Sequence, residues 1–441
     1  MIAIVVSRAD SASEHIGEHL LDLREWDARE DDERPEAAGG GTYHVHGDFE
    51  LRAFDDLHIY LDRPADAFSA VPDLLVFVSR HSGETGPLLT AHFTGNVGPA
   101  EFGGEAGSFA EAAPNAGKRA VAALAEFAPE DYDVGIECTH HGPSDVGAPS
   151  MFVELGSGET QWADPDAARA VARAVLSLSD TGAHGDRQVV GLGGGHYAPR
   201  FSRIVRETAW AVGHVAADWG LDAMGDPRAN TEVLERLFEA SRADAAVVDG
   251  DREGLREAVE RIGKRVVSET FLRETERVEG AFVADAEDAL SSVDGGLRFG
   301  DDAGEVGEWT VRSLPTDLVE AARGVDSEAT MAAAAAHLLA FETGEGATVP
   351  RGDAVVASAA DYDAFVDALV SVLDGKYDDV TRRDGEVVAR KTGFDPAKAR
   401  ERGVPEGPKF GRLASGEAVT VDGETVSPAA VTSEREDRFG I

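Results

Sequence analysis

The chain has 441 residues, of which 42% are hydrophobic, and its 83 acidic and 41 basic residues give a formal net charge of −42. This length and hydrophobic fraction exclude a disordered polymer and predict a globular protein of two or three domains. The acidic residues are spread over the whole chain, which disfavours a single docking surface for a basic partner. They instead predict adaptation to high salt, because the Debye length falls to about 3 Å near 1 M salt and the repulsion between the acidic residues is then screened.

The net charge leaves nucleic-acid binding open, because a local patch of Lys and Arg inside an acidic surface would suffice for phosphate contacts. The single cysteine, Cys138, excludes an internal disulfide and a metal site built from several cysteines. Residues 2–6 are apolar, but Arg8 and Asp10 follow too soon for a signal peptide, and no apolar run reaches the ~18–20 residues of a membrane span. We expect a monomeric cytoplasmic protein with no membrane partner.

The first part of the chain predicts strands that alternate with helices. Short apolar runs bounded by Gly, Pro, Asp or Ser indicate buried strands at 2–6, 57–61, 74–78, 132–136, 151–155 and 188–192. Helical spacing of apolar residues predicts helices at 12–23, 115–127, 164–178 and 199–212, and the charged, glycine-rich stretch 27–41 predicts an exposed loop. This alternation predicts an α/β fold with a central mixed, largely parallel sheet flanked by helices.

The composition changes near Val278, after predicted helices at 231–241 and 252–267. Twelve of the thirteen histidines lie at or before His214, so imidazole chemistry is expected in the first part. We therefore predict a catalytic domain at 1–278 and a smaller α+β module at 279–441. The elements predicted for this module are helices at 327–341 and 361–373 and a hairpin at 418–426 around an Asp422-Gly423 turn.

Four segments place polar, metal-capable side chains after predicted strands, where open α/β sheets build their sites. They are 80–96 (RHSGETGPLLTAHFTGN), 137–144 (ECTHHGPS), 154–162 (ELGSGETQW) and 191–200 (GLGGGHYAPR). One histidine alone is more often structural than functional, but four clusters at strand ends are expected to converge if the strands run as predicted.

The imidazole and carboxylate groups of these segments suit a zinc site. We predict His81, Glu154 and His196 as metal ligands and Glu137, His140 and His141 as catalytic residues. The adjacent histidines are expected on opposite sides of the backbone. Bound zinc would activate a water and polarise an ester carbonyl, and without metal a His–Glu pair would act as a general base on water.

Further residues of the same segments are candidates for binding substrate. The glycine turn can approach a ligand closely and offer N–H groups to an anion. The predicted substrate-binding residues are Ser82, Thr94, Asn96, Gly193, Gly194 and Gly195. No G-x-S-x-G elbow surrounds Ser82 or Ser144, which disfavours a serine nucleophile, and Cys138 is expected to be a small packing residue rather than a ligand.

Together, HSGETGPLLTAHFTGN, ECTHHGPS, FVELGSGETQW and GLGGGHYAPRFS resemble the archaeal and plant type of D-aminoacyl-tRNA deacylase, which is distinct from the bacterial enzyme. The resemblance spans roughly residues 1–278 and ends at GKRVVSETFLRE. It implies a zinc-dependent hydrolase that releases a D-amino acid from tRNA, with glycine on alanine tRNA as a further candidate substrate. It also implies a sheet similar to those of peptidyl-tRNA hydrolases and nucleoside phosphorylases. Two departures are Cys138, where the family has a small residue such as Ala, and the acidic loop 101–114.

Three alternatives remain. A non-catalytic tRNA-binding protein would use these histidines structurally, and a hydrolase or phosphorylase of a related fold would act on another substrate. A metallo-β-lactamase-type nuclease is disfavoured, because His44-Val-His46-Gly-Asp48 begins the H-x-H-x-D-H signature but Phe49 replaces its last histidine. Residues 403–416 nevertheless look like a segment of tRNA 3′-processing ribonuclease Z enzymes, so an RNA-associated module is one interpretation and a turn-rich surface stretch is the other.

Overall fold

The computed structural model describes residues 1–304 and 306–441, and the chain divides into two compact units. The first unit is Met1–Glu276 and the second unit is Arg277–Ile441, so the division lies two residues before the boundary predicted from the sequence. None of the helices within the described residues is both long and apolar enough to span a membrane.

The first unit alternates strands and helices along most of its length. Its strands are β1 (Ile2–Ser7), β2 (Asp27–Asp31), β3 (Gly41–His46), β4 (Phe49–Phe54), β5 (Leu74–Arg80), β6 (Leu88–His92), β7 (Asp133–Ile136), β8 (Ser150–Gly156), β9 (Gln188–Leu192), β10 (Ala211–Ala216), β11 (Ala245–Val248) and β12 (Arg265–Val266). Its helices are α1 (Ser11–Leu23), α2 (Pro114–Phe127), α3 (Glu159–Trp162), α4 (Pro165–Leu176), α5 (Pro199–Glu207), α6 (Asp218–Met224), α7 (Thr231–Ser241), α8 (Glu253–Arg261) and α9 (Glu269–Glu274).

An eight-stranded sheet in the order β2-β3-β4-β1-β5-β8-β6-β7 forms the centre of the first unit. The inner strands β4, β1, β5 and β8 are parallel, and β6 is parallel to β7 but antiparallel to β8. The strands β2 and β3 add an antiparallel edge. The predicted mixed, largely parallel sheet is therefore confirmed.

Burial on both faces explains why the inner strands are continuous apolar runs. Residues Ile2–Ser7 and Ser150–Gly156 are buried throughout. On one face α1, α2 and α4 cover the sheet, and Ile16 and Leu20 of α1 are fully buried there. Asp10 caps α1 by accepting the backbone N–H groups of Ala12 and Ser13, and its second oxygen accepts the N–H of Arg80. This cap joins α1 to the end of β5, beside the candidate site.

A second, fully parallel sheet in the first unit has the order β10-β9-β11-β12. Its core includes the buried residues Val190, Leu192 and Phe238. Two backbone hydrogen bonds connect it to the segment after β7: the Cys138 N–H donates to the His196 carbonyl, and the Thr139 N–H donates to the Val215 carbonyl, both at 2.8 Å. These bonds bring the glycine-rich turn after β9 next to the eight-stranded sheet.

The second unit is an α+β arrangement of antiparallel sheets. Its strands are β13 (Leu297–Phe299), β14 (Thr310–Ser313), β15 (Ala340–Gly344), β16 (Val349–Val356), β17 (Asp379–Arg383), β18 (Glu386–Phe394), β19 (Val419–Val421), β20 (Glu424–Val426) and β21 (Thr432–Gly440). Its helices are α10 (Gly280–Ala289), α11 (Thr316–Arg323), α12 (Ser327–His337), α13 (Ala359–Leu373), α14 (Pro396–Glu401) and α15 (Pro408–Ala414). The sheets are β13-β15-β16-β14, β17-β18-β21 and the pair β19-β20.

The β19-β20 hairpin is confirmed, and both turn residues, Asp422 and Gly423, have the positive φ (46° and 87°) that its tight turn requires. Other local predictions were wrong. Residues 57–61 contain the 3-10 turn His58–Tyr60 instead of a strand, because a short apolar run does not distinguish the two. Residues 27–31 form the charged edge strand β2 instead of a loop.

Three predicted helices were too long because each pattern continued into a following strand. The helix predicted at 199–212 ends at Glu207, and β10 follows. The helix predicted at 252–267 ends at Arg261, and β12 follows. The helix predicted at 327–341 ends at His337, and β15 follows. In these places apolar residues continue across the boundary, so hydrophobic periodicity alone does not mark where the helix stops.

Candidate active site

The candidate site lies on one face of the eight-stranded sheet. Ser79, Glu154 and Thr90 are directly opposite one another on β5, β8 and β6, so their side chains share that face. His81 follows β5 and His92 ends β6. Because β6 is antiparallel to β8, the carboxyl ends of β5 and β6 lie at opposite edges. The site therefore occupies a sheet face, and the predicted position at one carboxyl edge was wrong.

Glu137, which directly follows β7, is the centre of the cluster and is only 2% exposed. Its carboxylate accepts hydrogen bonds from the Thr90 hydroxyl and from His196 Nε2 at 2.8 Å, and it lies 3.1 Å from His81 Nδ1. Burial would raise the pKa of Glu137, but the rings of His196 and His81 hold this pKa well below its usual range. Glu137 is thus a buried, ionised carboxylate held by three donors.

His81 and His196 are imidazoles that keep their protons at neutral pH. Burial lowers the pKa of His81, but contacts with Glu137 and Glu154 outweigh it and raise the pKa to about 9. The Cys138 sulfur, 3.6 Å from His196 Nδ1, and the Glu137 carboxylate raise the pKa of His196 to about 10. Both rings are therefore potential proton donors.

His140 and His141 have the opposite character. Burial lowers the pKa of His140 to about 4 and holds that of His141 well below its usual range. The Nδ1 atoms of His140 and His141 lie 2.8 and 2.7 Å from the carbonyls of Cys138 and Gly142. Since each Nδ1–H donates to a carbonyl, each neutral ring presents an unprotonated Nε2, which is the form that binds a metal or accepts a proton.

His92 completes a group of three imidazoles. Its ring centroid lies 4.5 Å from that of His140 and 5.0 Å from that of His141. Burial lowers the pKa of His92, but the Glu154 carboxylate raises it above the usual range. Among the residues that the structure describes, its buried Nε2 has no hydrogen-bond partner, and the nearest Glu154 oxygen is 3.5 Å away. An unpartnered buried nitrogen in a residue that packs against two other imidazoles is consistent with a missing ligand.

The ring centroids of His140 and His141 are only 4.3 Å apart. The prediction that these two side chains point to opposite sides of the backbone was therefore wrong. The reason is the backbone of His141, which adopts φ 45°, the left-handed region that is unfavourable for a residue with a side chain. This conformation turns both imidazoles into one cluster. Backbone strain of this kind is typical of functional sites.

The predicted metal ligands do not form one group within the described residues. Three groups have ligand atoms within 4.8 Å of one another: His81, Glu137 and Glu154; Cys138, His140 and His196; and His92, His140 and His141. Imidazole and carboxylate donors of this kind fit zinc. The unprotonated nitrogens of His140 and His141 and the unpartnered nitrogen of His92 make the third group the best match to a metal site.

Close backbone packing holds this geometry. Gly156 lies so near His81 that a Cβ atom there would be 2.6 Å from the ring. A Cβ on Gly142 would similarly meet the backbone of Gly104 at 2.4 Å and of Ile59 at 2.5 Å. The segment after His141 therefore packs directly against the acidic loop.

Some predicted substrate-binding groups have internal partners. The Thr94 hydroxyl donates to the Pro143 carbonyl, and the Asn96 amide donates to the carbonyls of Gly103 and Glu105.

The glycine turn is tied to its own unit in the same way. The N–H groups of Gly193 and Gly194 donate to the Ala216 carbonyl and the Asp218 carboxylate. Substrate contact by this turn, by Gly195 and by Thr94 or Asn96 stays a prediction.

A cavity of about 460 Å³ opens onto the cluster. The predicted residue Ser82 lines it, as do His81, His140, His141, His196 and Glu154. Leu57, Ile59 and Phe102 add an apolar wall. A small organic group with an apolar part therefore fits beside the imidazoles.

The sequence analysis missed His92, Thr90 and Tyr197. The first two lie in the apolar run that becomes β6, and their shared face follows from the two-residue period of a strand. Tyr197 follows His196 directly, and its hydroxyl lies 3.4 Å from His81 Nε2.

Comparisons with known proteins agree with one another. The family model of D-aminoacyl-tRNA deacylase matches residues 68–270. A D-aminoacyl-tRNA deacylase of Halorubrum lacusprofundi is 54% identical to this chain, and the alignment covers 100% of this chain and 97% of that protein. A D-aminoacyl-tRNA deacylase of Natronomonas pharaonis is also 54% identical, and the alignment covers 100% of both chains. A solved structure described as a conserved protein of unknown function is 30% identical with a TM-score of 0.56, covering 62% of this chain and 96% of its own.

Proposed function

The chain belongs to the D-aminoacyl-tRNA deacylase family, and we propose that its imidazole–carboxylate cluster hydrolyses the ester between a D-amino acid and the 3′ end of tRNA. The observation that carries this proposal is the division of the cluster into two kinds of histidine. His81 and His196 retain protons, whereas His140 and His141 do not. Titratable groups whose pKa values are driven apart in one site are typical of acid–base catalysis.

Zinc fits the group formed by His92, His140 and His141, in which His140 and His141 present unprotonated nitrogens. These three residues would hold the ion, which supplies a Lewis acid and a water of lowered pKa when it is bound. His92, whose pKa the Glu154 carboxylate raises, would release its proton on binding the ion. This assignment differs from the ligands predicted from sequence, which were His81, Glu154 and His196, because both of those imidazoles bond to the carboxylate of Glu137.

The protonated half of the cluster supplies the acid. Hydrolysis of the ester leaves an alkoxide on the ribose unless a proton reaches that oxygen. The His196 side chain is 34% exposed and lines the cavity, so it can donate this proton, whereas His81 is more deeply buried. The ionised Glu137 keeps the proton on His196 between turnovers, which makes Glu137 necessary although it lies behind the ring.

The remaining properties follow from this assignment. We propose a proofreading enzyme of the cytoplasm that acts as a monomer, with its chemistry confined to the first unit. The net charge of −42 supports an enzyme that works at high salt, because such charge destabilises a compact fold when it is not screened.

The test is hydrolysis of D-tyrosyl-tRNA and L-tyrosyl-tRNA in 3 M KCl, with zinc measured in the purified protein. We expect hydrolysis of the D-ester only, stoichiometric zinc and loss of activity with a chelator. Transfer to 0.1 M KCl should unfold the protein, as followed by circular dichroism. Equal turnover of both esters, or none by folded protein that contains zinc, would contradict the proposed function.

A further inference from the structure

A second cavity, of about 800 Å³, lies beside the cluster and is not used by the proposed chemistry. We call it the α5 groove, because residues from the start, middle and end of α5 line it. Its lining residues include Thr85, Thr90, Asp133, Tyr197, Arg203, Arg206 and Glu207. The question is what occupies it.

The α5 groove reaches the catalytic groups directly. Thr90 lines it and donates its hydroxyl hydrogen to Glu137. Tyr197 also lines it, and its hydroxyl lies 3.4 Å from His81. A molecule in the groove would therefore end beside Thr90 and Tyr197, which contact Glu137 and His81.

The charge of the groove suits phosphate. Arg206 is exposed and forms no ion pair with any residue in the described part of the chain. Arg203 pairs with Glu269, which also binds Arg200, and Arg200 has Asp249 as a second partner. Of the acidic residues in the groove, Glu207 is paired with Arg273.

A third cavity of about 700 Å³ provides the contrast. It contains the single cation Arg236 among four acidic residues, Asp62, Glu105, Asp145 and Glu239. An anionic ligand would be repelled there. In a chain with a net charge of −42, the α5 groove offers one arginine, Arg206, that has no carboxylate partner within the described residues.

An aromatic ring lies between the arginines and the cluster. Tyr197 is 38% exposed, which is unusual for a large side chain so close to buried catalytic groups. Proteins bind single-stranded nucleic acid with exposed aromatic rings on which bases stack and with cations that follow the phosphates. Stacking also matters at molar salt, where only direct phosphate contacts escape screening.

We propose that the α5 groove binds the single-stranded 3′ end of tRNA, with the terminal base on Tyr197 and the adjoining phosphate on Arg206. This inference rests on the proposed function, because it assigns the nucleotide side of the same substrate. It leaves the 460 Å³ cavity, with its apolar wall of Leu57, Ile59 and Phe102, for the amino-acid side chain.

The experiment measures binding of the trinucleotide CCA to the full-length protein by calorimetry in KCl, together with KM and kcat for D-tyrosyl-tRNA. We expect Tyr197→Ala and Arg206→Glu each to weaken trinucleotide binding about tenfold or more and to raise KM. Tyr197→Phe keeps the ring and should bind normally. The matched control Arg236→Glu alters the acidic cavity and should also bind normally.

The outcomes separate the groove from the chemistry. Three outcomes would overturn the groove assignment even if D-tyrosyl-tRNA is hydrolysed. The wild-type protein does not bind CCA, the folded Tyr197→Ala and Arg206→Glu proteins bind it normally, or binding is lost only in Arg236→Glu. Trinucleotide binding that depends on Tyr197 and Arg206, in a protein that hydrolyses neither tyrosyl ester, would uphold the groove and refute the proposed function. Arg206→Gln, with circular dichroism, distinguishes loss of the contact from misfolding.

Discussion

The two units of the chain differ in how many ionisable side chains they bury. In the first unit, buried residues include Asp10, Glu50, Arg52 and His58 as well as the catalytic cluster. In the described part of the second unit, the buried polar side chains are the threonines Thr330 and Thr343. Burying an ionisable group is costly unless it is paired, so the first unit carries a cost that the second avoids.

The difference teaches that burial alone does not identify a site. Arg52 and Glu50 are also buried, but Arg52 Nε donates to Glu50 at 2.7 Å and its other donors reach Asp31 and the Gly39 carbonyl. This pair is satisfied and structural. In the cluster, by contrast, His92 Nε2 lacks a partner and the histidines differ in protonation. An unpartnered nitrogen together with histidines of opposite protonation in one cluster distinguishes the candidate site.

Removing one imidazole of the cluster should have the largest effect. We expect His141→Ala to lower the rate of D-tyrosyl-tRNA hydrolysis by about 10²-fold or more, the usual scale for a group that activates water, with an unchanged circular dichroism spectrum. His46→Ala, at a partly exposed histidine outside the cluster, is the control. If the His141→Ala protein folds and keeps nearly normal activity, the imidazoles of the cluster are not buried for catalysis.

Acid should destabilise the first unit through His214. Burial lowers the pKa of His214 to about 4 from its ordinary 6.5, so the folded state resists protonation. Its contribution to stability is present above pH 6.5 and is lost as the pH falls towards 4, by up to about 3 kcal/mol. Denaturant unfolding followed by tryptophan fluorescence reports mainly the first unit, which holds four of the five tryptophans.

The variant His214→Gln should show a weaker pH dependence between 6.5 and 4 than the wild type. His58 and His140, whose pKa values burial also lowers to about 4, contribute to the pH dependence that remains. An identical slope in both proteins would show that His214 does not titrate as its burial indicates.

Displacing His81 should have a smaller effect than deleting a ring. In Gly156→Ala the new Cβ would lie 2.6 Å from His81, so we expect about tenfold slower hydrolysis from a shift of the ring and a stability loss of about 1–3 kcal/mol. Gly182→Ala, whose Cβ would lie 3.6 Å from the His184 carbonyl oxygen, an ordinary van der Waals contact, is the matched control. Equal rates for both variants would show that the position of His81 is not critical.

Removing the second unit should have the smallest effect on chemistry. A chain ending at Glu276 contains every group of the cluster. We therefore expect kcat to stay within about threefold of the full-length value, which is a smaller change than the roughly tenfold loss that an activation free energy higher by 1.4 kcal/mol would cause. If this chain folds but does not hydrolyse D-tyrosyl-tRNA, the second unit supplies part of the site or of the tRNA contact.

The sequence was informative where local pattern determines structure. Apolar runs predicted β1, β5 and β9, and polar residues after strands identified His81, Glu137 and Glu154. Local pattern does not specify strand direction, so the antiparallel pairing of β6 with β8, which aligns Thr90 with Glu154, could not be predicted. His92 was missed because it occupies a position that also suits a buried apolar residue.

The backbone at His141 was beyond prediction for a different reason. Positive φ in a residue with a side chain is imposed by the packing around it, here the close approach of Gly142 to Gly104 and Ile59. The convergence of His140 and His141 thus depends on contacts from distant parts of the chain.

The hydrogen bonds that Cys138 and Thr139 donate to the second sheet of the first unit also determine when the site can form during synthesis. Their acceptors, His196 and Val215, are translated 58 and 76 positions later. A ribosome-bound chain that stops before His196 already contains Glu137, His140 and His141 but lacks both carbonyls that hold this segment in place. We therefore expect the nascent protein to be inactive until Val215 has left the exit tunnel, and chains arrested before and after that point should differ in activity.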